Sequence, residues 1–129
     1  MIIGPGFENE DEIEDAAAST DAEFNLLRDP DDLPRRMFEA DLAVSATGST
    51  VYELLATGTP IIGIPQSDNQ RPVADSLKNS ILRCEINGIR EHLTSLVEDA
   101  TLRRKLREDG KKLVDGKGTQ RVYSAFMSS

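Results

Sequence analysis

An α/β fold, in which a parallel sheet carries helices on both faces, is predicted by three features of the amino-acid sequence. Short apolar runs fall at 1–4, 23–27, 42–45, 61–64 and 81–84. They are brief and lack strict alternation, as strands buried on both faces do. The segments between them carry apolar residues at helical spacing. The connections are short, and strand–helix alternation with short connections implies parallel strands joined by right-handed crossovers. The expectation is a Rossmann-like layer structure in one domain spanning residues 1–129.

The helices have readable starts and stops. Asn9 precedes Glu10-Asp11-Glu12, so acidic residues fill a first turn, where the helix dipole favours them. Ile13, Ala16 and Ala17 then give a narrow apolar face. Asp31-Asp32 stand before Pro34, a residue tolerated in a first turn, and Leu33, Met37 and Ala40 follow at i, i+4 and i+7. A helix over 49–57 should stop at Gly58, with Pro60 just beyond. After the fifth strand only helices are expected. Ile89, Leu93, Leu96 and Val97 mark one; Leu102, Leu106 and Leu113 mark a second, rich in Arg and Lys. The turn Gly116-Lys117-Gly118 leads to a last helix carrying Val122 and Phe126.

Charge and cysteine content narrow the functional classes. Hydrophobic residues make up 38% and charged residues 29% of the chain, enough for a folded core. The net charge of -8 is uneven: residues 1–60 hold 3 basic and 14 acidic side chains. So acidic a front half argues against nucleic acid as a partner, which requires a basic face. Cys84 is the only cysteine and lies in an apolar run, so it reads as a plain strand residue, with no intramolecular disulfide or cysteine zinc site. No signal peptide and no bilayer-spanning apolar stretch is legible, which leads to the expectation of a cytoplasmic protein.

Ligands of open α/β sheets bind beyond the carboxyl ends of the strands. That rule selects the loops Gly4-Pro5-Gly6-Phe7, Arg28-Asp29-Pro30-Asp31, Ala46-Thr47-Gly48-Ser49-Thr50 and Pro65-Gln66-Ser67-Asp68-Asn69-Gln70. The third combines small residues, hydroxyls and a helix start, an arrangement that offers backbone N–H groups and a positive dipole end to a phosphate. Residues 40–70 contain no Lys or Arg, so a diphosphate here would rely on amides and hydroxyls. An ordinary ligand-free helix start has the same composition. Glu53 has two readings: it completes a capping box with Thr50, or it reaches a ribose diol from one turn inside the helix. In the fourth loop, Asn69 and Gln70 both donate and accept and so suit sugar hydroxyls, although a polar surface loop would look alike. His92, on a late helix, reads as a surface or packing residue. There is no phosphate-binding G-x4-G-K-[ST], no third glycine after Gly4 and Gly6, and no metal-ligand spacing.

The run Ala40-Asp41-Leu42-Ala43-Val44-Ser45-Ala46-Thr47-Gly48-Ser49-Thr50-Val51-Tyr52-Glu53-Leu54, then Gly58-Thr59-Pro60 and Asp68-Asn69-Gln70, resembles the C-terminal nucleotide-sugar-binding domain of GT-B enzymes. It is similar to the lipid II-forming N-acetylglucosaminyltransferase of peptidoglycan synthesis. It looks closer to the UDP-sugar hydrolase of pseudaminic acid biosynthesis and its spore-coat polysaccharide relatives, through Asp68-Asn69-Gln70 and through Val114-Asp115-Gly116-Lys117-Gly118 with Arg121-Val122. The resemblance implies the C-terminal half of a GT-B fold acting on UDP or a UDP-sugar, in a hydrolase or glycosyltransferase of surface polysaccharide biosynthesis. By it, Gly48, Ser49 and Thr50 hold the diphosphate, Glu53 the ribose, and Asn69 with Gln70 faces the sugar. Arg28, Pro30 and Asp31 flank the base through main-chain groups. It implies neither a cofactor nor a metal. The catalytic base is expected in an N-terminal domain, so no catalytic residue is assigned here, and the chain alone is expected to be inactive. The chain is expected to be half of the enzyme, either a piece of it or a separate nucleotide-binding subunit that works with a partner chain.

Overall fold

The computed structural model describes all residues, Met1–Ser129, and the chain divides into two compact units, Met1–Leu33 and Pro34–Ser129. In the first, β1 (Ile2–Ile3) pairs in parallel with β2 (Leu27–Arg28), and α1 (Glu10–Ala18) lies between them in sequence. The second strand was expected over 23–27 but forms at its far end. Ile2 pairs with Leu27 and Ile3 with Arg28, while Phe24 is left 47% exposed. Glu23 and Asn25 are poor strand formers, and Ile3 is the buried apolar side chain that the short ladder covers. Asn9 starts α1 without a side-chain cap, and the acidic first turn supplies the favourable charge instead.

The second unit begins within α2 (Leu33–Glu39) and contains a three-stranded parallel sheet in the order β3-β4-β5, formed by β3 (Ala43–Ala46), β4 (Ile61–Ile64) and β5 (Leu82–Arg83). Ala43 pairs with Ile61 and Ala46 with Ile64; Ile62 pairs with Leu82. The five strands therefore form two parallel sheets rather than one. The central strand β4 is buried at every residue, which is why its run is continuously apolar. Successive side chains of β4 point to opposite faces. Ile62 and Ile64 pack with Cys84 against Leu96 of α5 (Ile89–Glu98) and Leu106 of α6 (Ala100–Leu113).

Local rules explain the boundaries that position the site. α3 (Thr50–Thr57) ends where Gly58 takes a left-handed φ of 73°. Gly58 N–H donates to Leu55 C=O at 3.0 Å and Thr59 N–H to Leu54 C=O at 3.0 Å, the paired bonds of a Schellman turn. Pro60 then feeds the chain into β4. α3 crosses α6 closely because Gly110 has no side chain: a Cβ there would lie 3.1 Å from Leu55 Cδ2. The short helix α4 (Arg71–Ser76), preceded by a 3-10 turn at Asp68–Gln70, had no expectation from the sequence. α7 (Gly118–Met127) closes the chain with Val122 and Phe126 exposed.

Candidate functional site

Because β3, β4 and β5 are parallel, their carboxyl ends share one edge, and the loops leaving β3 and β4 meet there. The loop after β3 turns at Thr47 and Gly48 into α3. Ser49 already has helical backbone angles (φ -61°, ψ -33°). Its N–H and that of Thr50 make no hydrogen bond to the protein, whereas Val51 N–H turns back to Gly48 C=O at 3.3 Å and Tyr52 N–H to Ser49 C=O at 3.1 Å. Two unengaged donors thus stand at the positive end of the helix, with the exposed hydroxyl side chains of Ser49 and Thr50 beside them. No Lys or Arg occurs in residues 40–70 to compete with them for an anion.

The capping-box reading of Glu53 does not survive the structure. A capping box needs a cap residue with extended backbone and a side-chain bond to the third helical N–H. The residue before α3 is helical Ser49, and no side chain caps the helix. Glu53 is exposed, with no hydrogen bond or salt bridge to any group of the protein. Its carboxylate stands one turn above the unengaged N–H groups, on the same end of α3.

The loop after β4 is organised from within. Gln70 Oε1 accepts from Gln66 N–H at 3.0 Å, and Asn69 Oδ1 accepts from the Ser67 hydroxyl. Both amides therefore use their acceptor ends inside the loop and keep their NH2 ends as donors. Gln70 Nε2 stands 3.4 Å from where a Cβ on Gly48 would be, so Gln70 lies against the loop after β3. Asn69 is exposed at the tip. Gly48, Ser49, Thr50, Glu53, Asn69 and Gln70 thus all belong to one edge of the three-stranded sheet.

Arg28, Pro30 and Asp31 belong to the other unit, at the end of β2. The Arg28 guanidinium is held by Glu10, through Nε at 2.6 Å, and by Glu14 at 3.2 Å. These carboxylates, hydrogen bonding to Glu10 first, push its pKa above the ordinary value. The side chain is thereby committed to α1, and Asp29 beside it takes a positive φ of 42°.

The cations nearest the β4 loop are equally committed. Arg71 Nη1 bonds Glu85 at 2.9 Å and its Nε stands 3.5 Å from Asp68; hydrogen bonding to Glu85 is the main cause of its raised pKa. Arg83 Nε lies 2.8 Å from Asp75, close enough for an ion pair but out of line for a hydrogen bond. Cys84 is buried in the core, and desolvation pushes its thiol pKa up, which disfavours the reactive thiolate. His92 Nδ1 folds back on Gly88 C=O at 2.9 Å. No group of three or more His, Cys, Asp or Glu side chains is arranged to hold a metal ion. No helix is long and apolar enough to cross a membrane.

Sequence reasoning passed over Thr47. It is fully buried, and its hydroxyl donates to Gln70 C=O at 3.1 Å, across 23 residues of chain. A threonine three positions before a helix gives no local sign of that bond. The nearest clue is Gly63 in the middle of β4, since a strand-interior glycine often marks a close approach of another group.

No protein-family model matches the chain. It is 26% identical over 93 residues to an uncharacterized protein of Methanocaldococcus jannaschii, a match covering 70% of this chain and 19% of that protein. It is also 26% identical over 109 residues to the spore coat polysaccharide biosynthesis protein SpsG of Bacillus subtilis, covering 78% of this chain and 32% of that protein. The chain thus spans a fifth to a third of the length of these relatives. Both matches cover most of this chain.

Proposed function

We propose that this chain is the UDP-sugar-binding half of a GT-B-type hydrolase or glycosyltransferase in surface polysaccharide biosynthesis. The observation that carries the reading is the end of α3. Two unengaged N–H groups, at Ser49 and Thr50, and one unpartnered carboxylate, Glu53, stand on a single helix turn at the carboxyl edge of a parallel sheet. The first pair suits a diphosphate, and the carboxylate suits a diol one sugar away. Gln70 and Asn69, with their NH2 ends uncommitted, are donors for the sugar or the phosphate oxygens. The likeness to a protein named for spore coat polysaccharide biosynthesis supports the polysaccharide context.

The catalytic base belongs, in this reading, to a second domain or partner subunit. Calorimetric titration with UDP, paired with an assay of UDP release from UDP-sugars, tests both halves of the proposal. Weak UDP binding without release is expected. Absence of UDP binding would overturn the ligand assignment, and turnover well above the buffer background would overturn the half-enzyme assignment.

A further inference from the structure

The two loops of the proposed site are joined by one buried contact. Thr47 has no exposed surface, and its hydroxyl donates to Gln70 C=O at 3.1 Å. Its methyl group occupies the space that a side chain at Gly63 would need: a Cβ on Gly63 would lie 2.9 Å from Thr47 Cγ2 and 2.6 Å from Ile81 Cδ1. The glycine in the central strand therefore makes room for Thr47, and Thr47 uses that room to reach the β4 loop. At the receiving end, Gln70 is the residue before α4, and its side chain bonds Gln66 N–H while its NH2 end lies against Gly48. Thr47, in the loop after β3, thus reaches both the central strand at Gly63 and the backbone of the β4 loop at Gln70.

We infer that Thr47 is a positioning residue that locks the loop after β3 to the loop after β4, so that Gly48–Thr50 and Gln66–Gln70 move as one unit. The inference rests on the proposed nucleotide-sugar reading for its consequence and on the hydrogen bond for its mechanics. A hydroxyl buried without solvent has no competing partner, so the Thr47–Gln70 bond is retained as long as the loops stay packed. Without it, the β4 loop keeps its internal Gln66–Gln70 and Ser67–Asn69 bonds but loses its tie to the neighbouring loop. It would then order at the moment of binding, which weakens the ligand.

Two substitutions separate the hydroxyl from the methyl. Thr47→Val keeps the branched shape against Gly63 and removes the donor. Thr47→Ser keeps the donor and removes the methyl. Amide hydrogen exchange, read residue by residue, and UDP titration are measured on the whole chain. Thr47→Val is expected to speed exchange at Gln66, Gln70 and Arg71 about tenfold, with α5 and α6 unchanged, and to weaken UDP several-fold. Thr47→Ser should stay near wild type in both readouts. Unchanged exchange at Gln66–Arg71 in Thr47→Val would overturn the lock, and so would exchange accelerated equally throughout the chain. Faster loop exchange with unaltered UDP affinity would overturn the positioning role. If wild type binds no UDP, the nucleotide-sugar reading fails, while the exchange arm still decides whether the two loops are coupled.

Discussion

Replacing Glu53 with glutamine separates a binding role from a folding role, because the structure leaves this side chain without any bond to lose. Glu53 is exposed and unpaired, and no capping box forms at Ser49. The folding cost of Glu53→Gln is then limited to the attraction between a first-turn carboxylate and the helix dipole, about 0.3–1 kcal/mol at a surface position. Against UDP the expected loss is larger. A carboxylate accepts two charge-assisted hydrogen bonds from a ribose diol, whereas an amide accepts at one end and presents donors at the other. The net loss is about 1–3 kcal/mol, or about five- to 150-fold in Kd. A 2′,3′-dideoxy nucleotide should bind wild type poorly and lose nothing further with the mutant, so the two changes form a cycle across protein and ligand. Calorimetric titration of both proteins with both nucleotides, beside thermal denaturation, measures every corner. Additive losses, or a destabilised fold with unchanged affinity, would refute the ribose assignment and return Glu53 to a purely local role in α3.

The remaining expectations concern the loop, the helix exit and an exposed ion pair. Gly48→Val should remove UDP binding with the fold intact, because its side chain projects toward Gln70 Nε2 over the end of α3, while Arg71→Ala should matter less, since Arg71 is already engaged by Glu85 and Asp68. The reverse ranking in a titration would refute the view that backbone amides hold the phosphate. Gly58→Ala should destabilise by about 1–2 kcal/mol in chemical denaturation, because alanine resists φ 73° and its Cβ would meet Lys111 Cε. An unchanged midpoint would contradict the left-handed exit of α3. Asp115 accepts two bonds from Arg121 and one from Lys117 N–H, and these hold its pKa at about 2, below the ordinary 3.8. A depressed carboxylate pKa contributes stability above the unfolded value, and that contribution is lost as pH falls through the folded one. An NMR titration should therefore place the Asp115 midpoint near 2 in wild type and move it up in Arg121→Gln; a midpoint near 3.8 in both would show that the pair does not form.

Much of the architecture is decided by neighbours in sequence. The unbroken apolar run at Ile61–Ile64 is β4, Gly58 and Pro60 end α3 where expected, and the spacing of Ile89, Leu96, Leu102 and Leu106 describes α5 and α6. Such features depend on residue type and periodicity within a few positions, so they can be read without knowing the fold. The site loops were legible for the same reason, as polar and glycine-containing segments directly after strands.

Contacts between distant positions were decided only by the tertiary structure. Strand β2 settles on Leu27–Arg28 because those residues pair with Ile2 and Ile3, not because of their own propensity. The helical backbone of Ser49 removes the capping box that Thr50 and Glu53 spell out locally, and so leaves the carboxylate unpartnered. The Arg28 guanidinium meets Glu10 and Glu14, and Arg71 meets Glu85, only once the chain is folded. Thr47 meets Gln70 because the register of β3 against β4 sets Ser45 beside Gly63 and brings the two following loops to the same edge. Local composition determined which polar and glycine residues follow the strands. Strand register, which aligns segments about twenty residues apart, decided which of them lie at one edge of the sheet and which side chains are already paired.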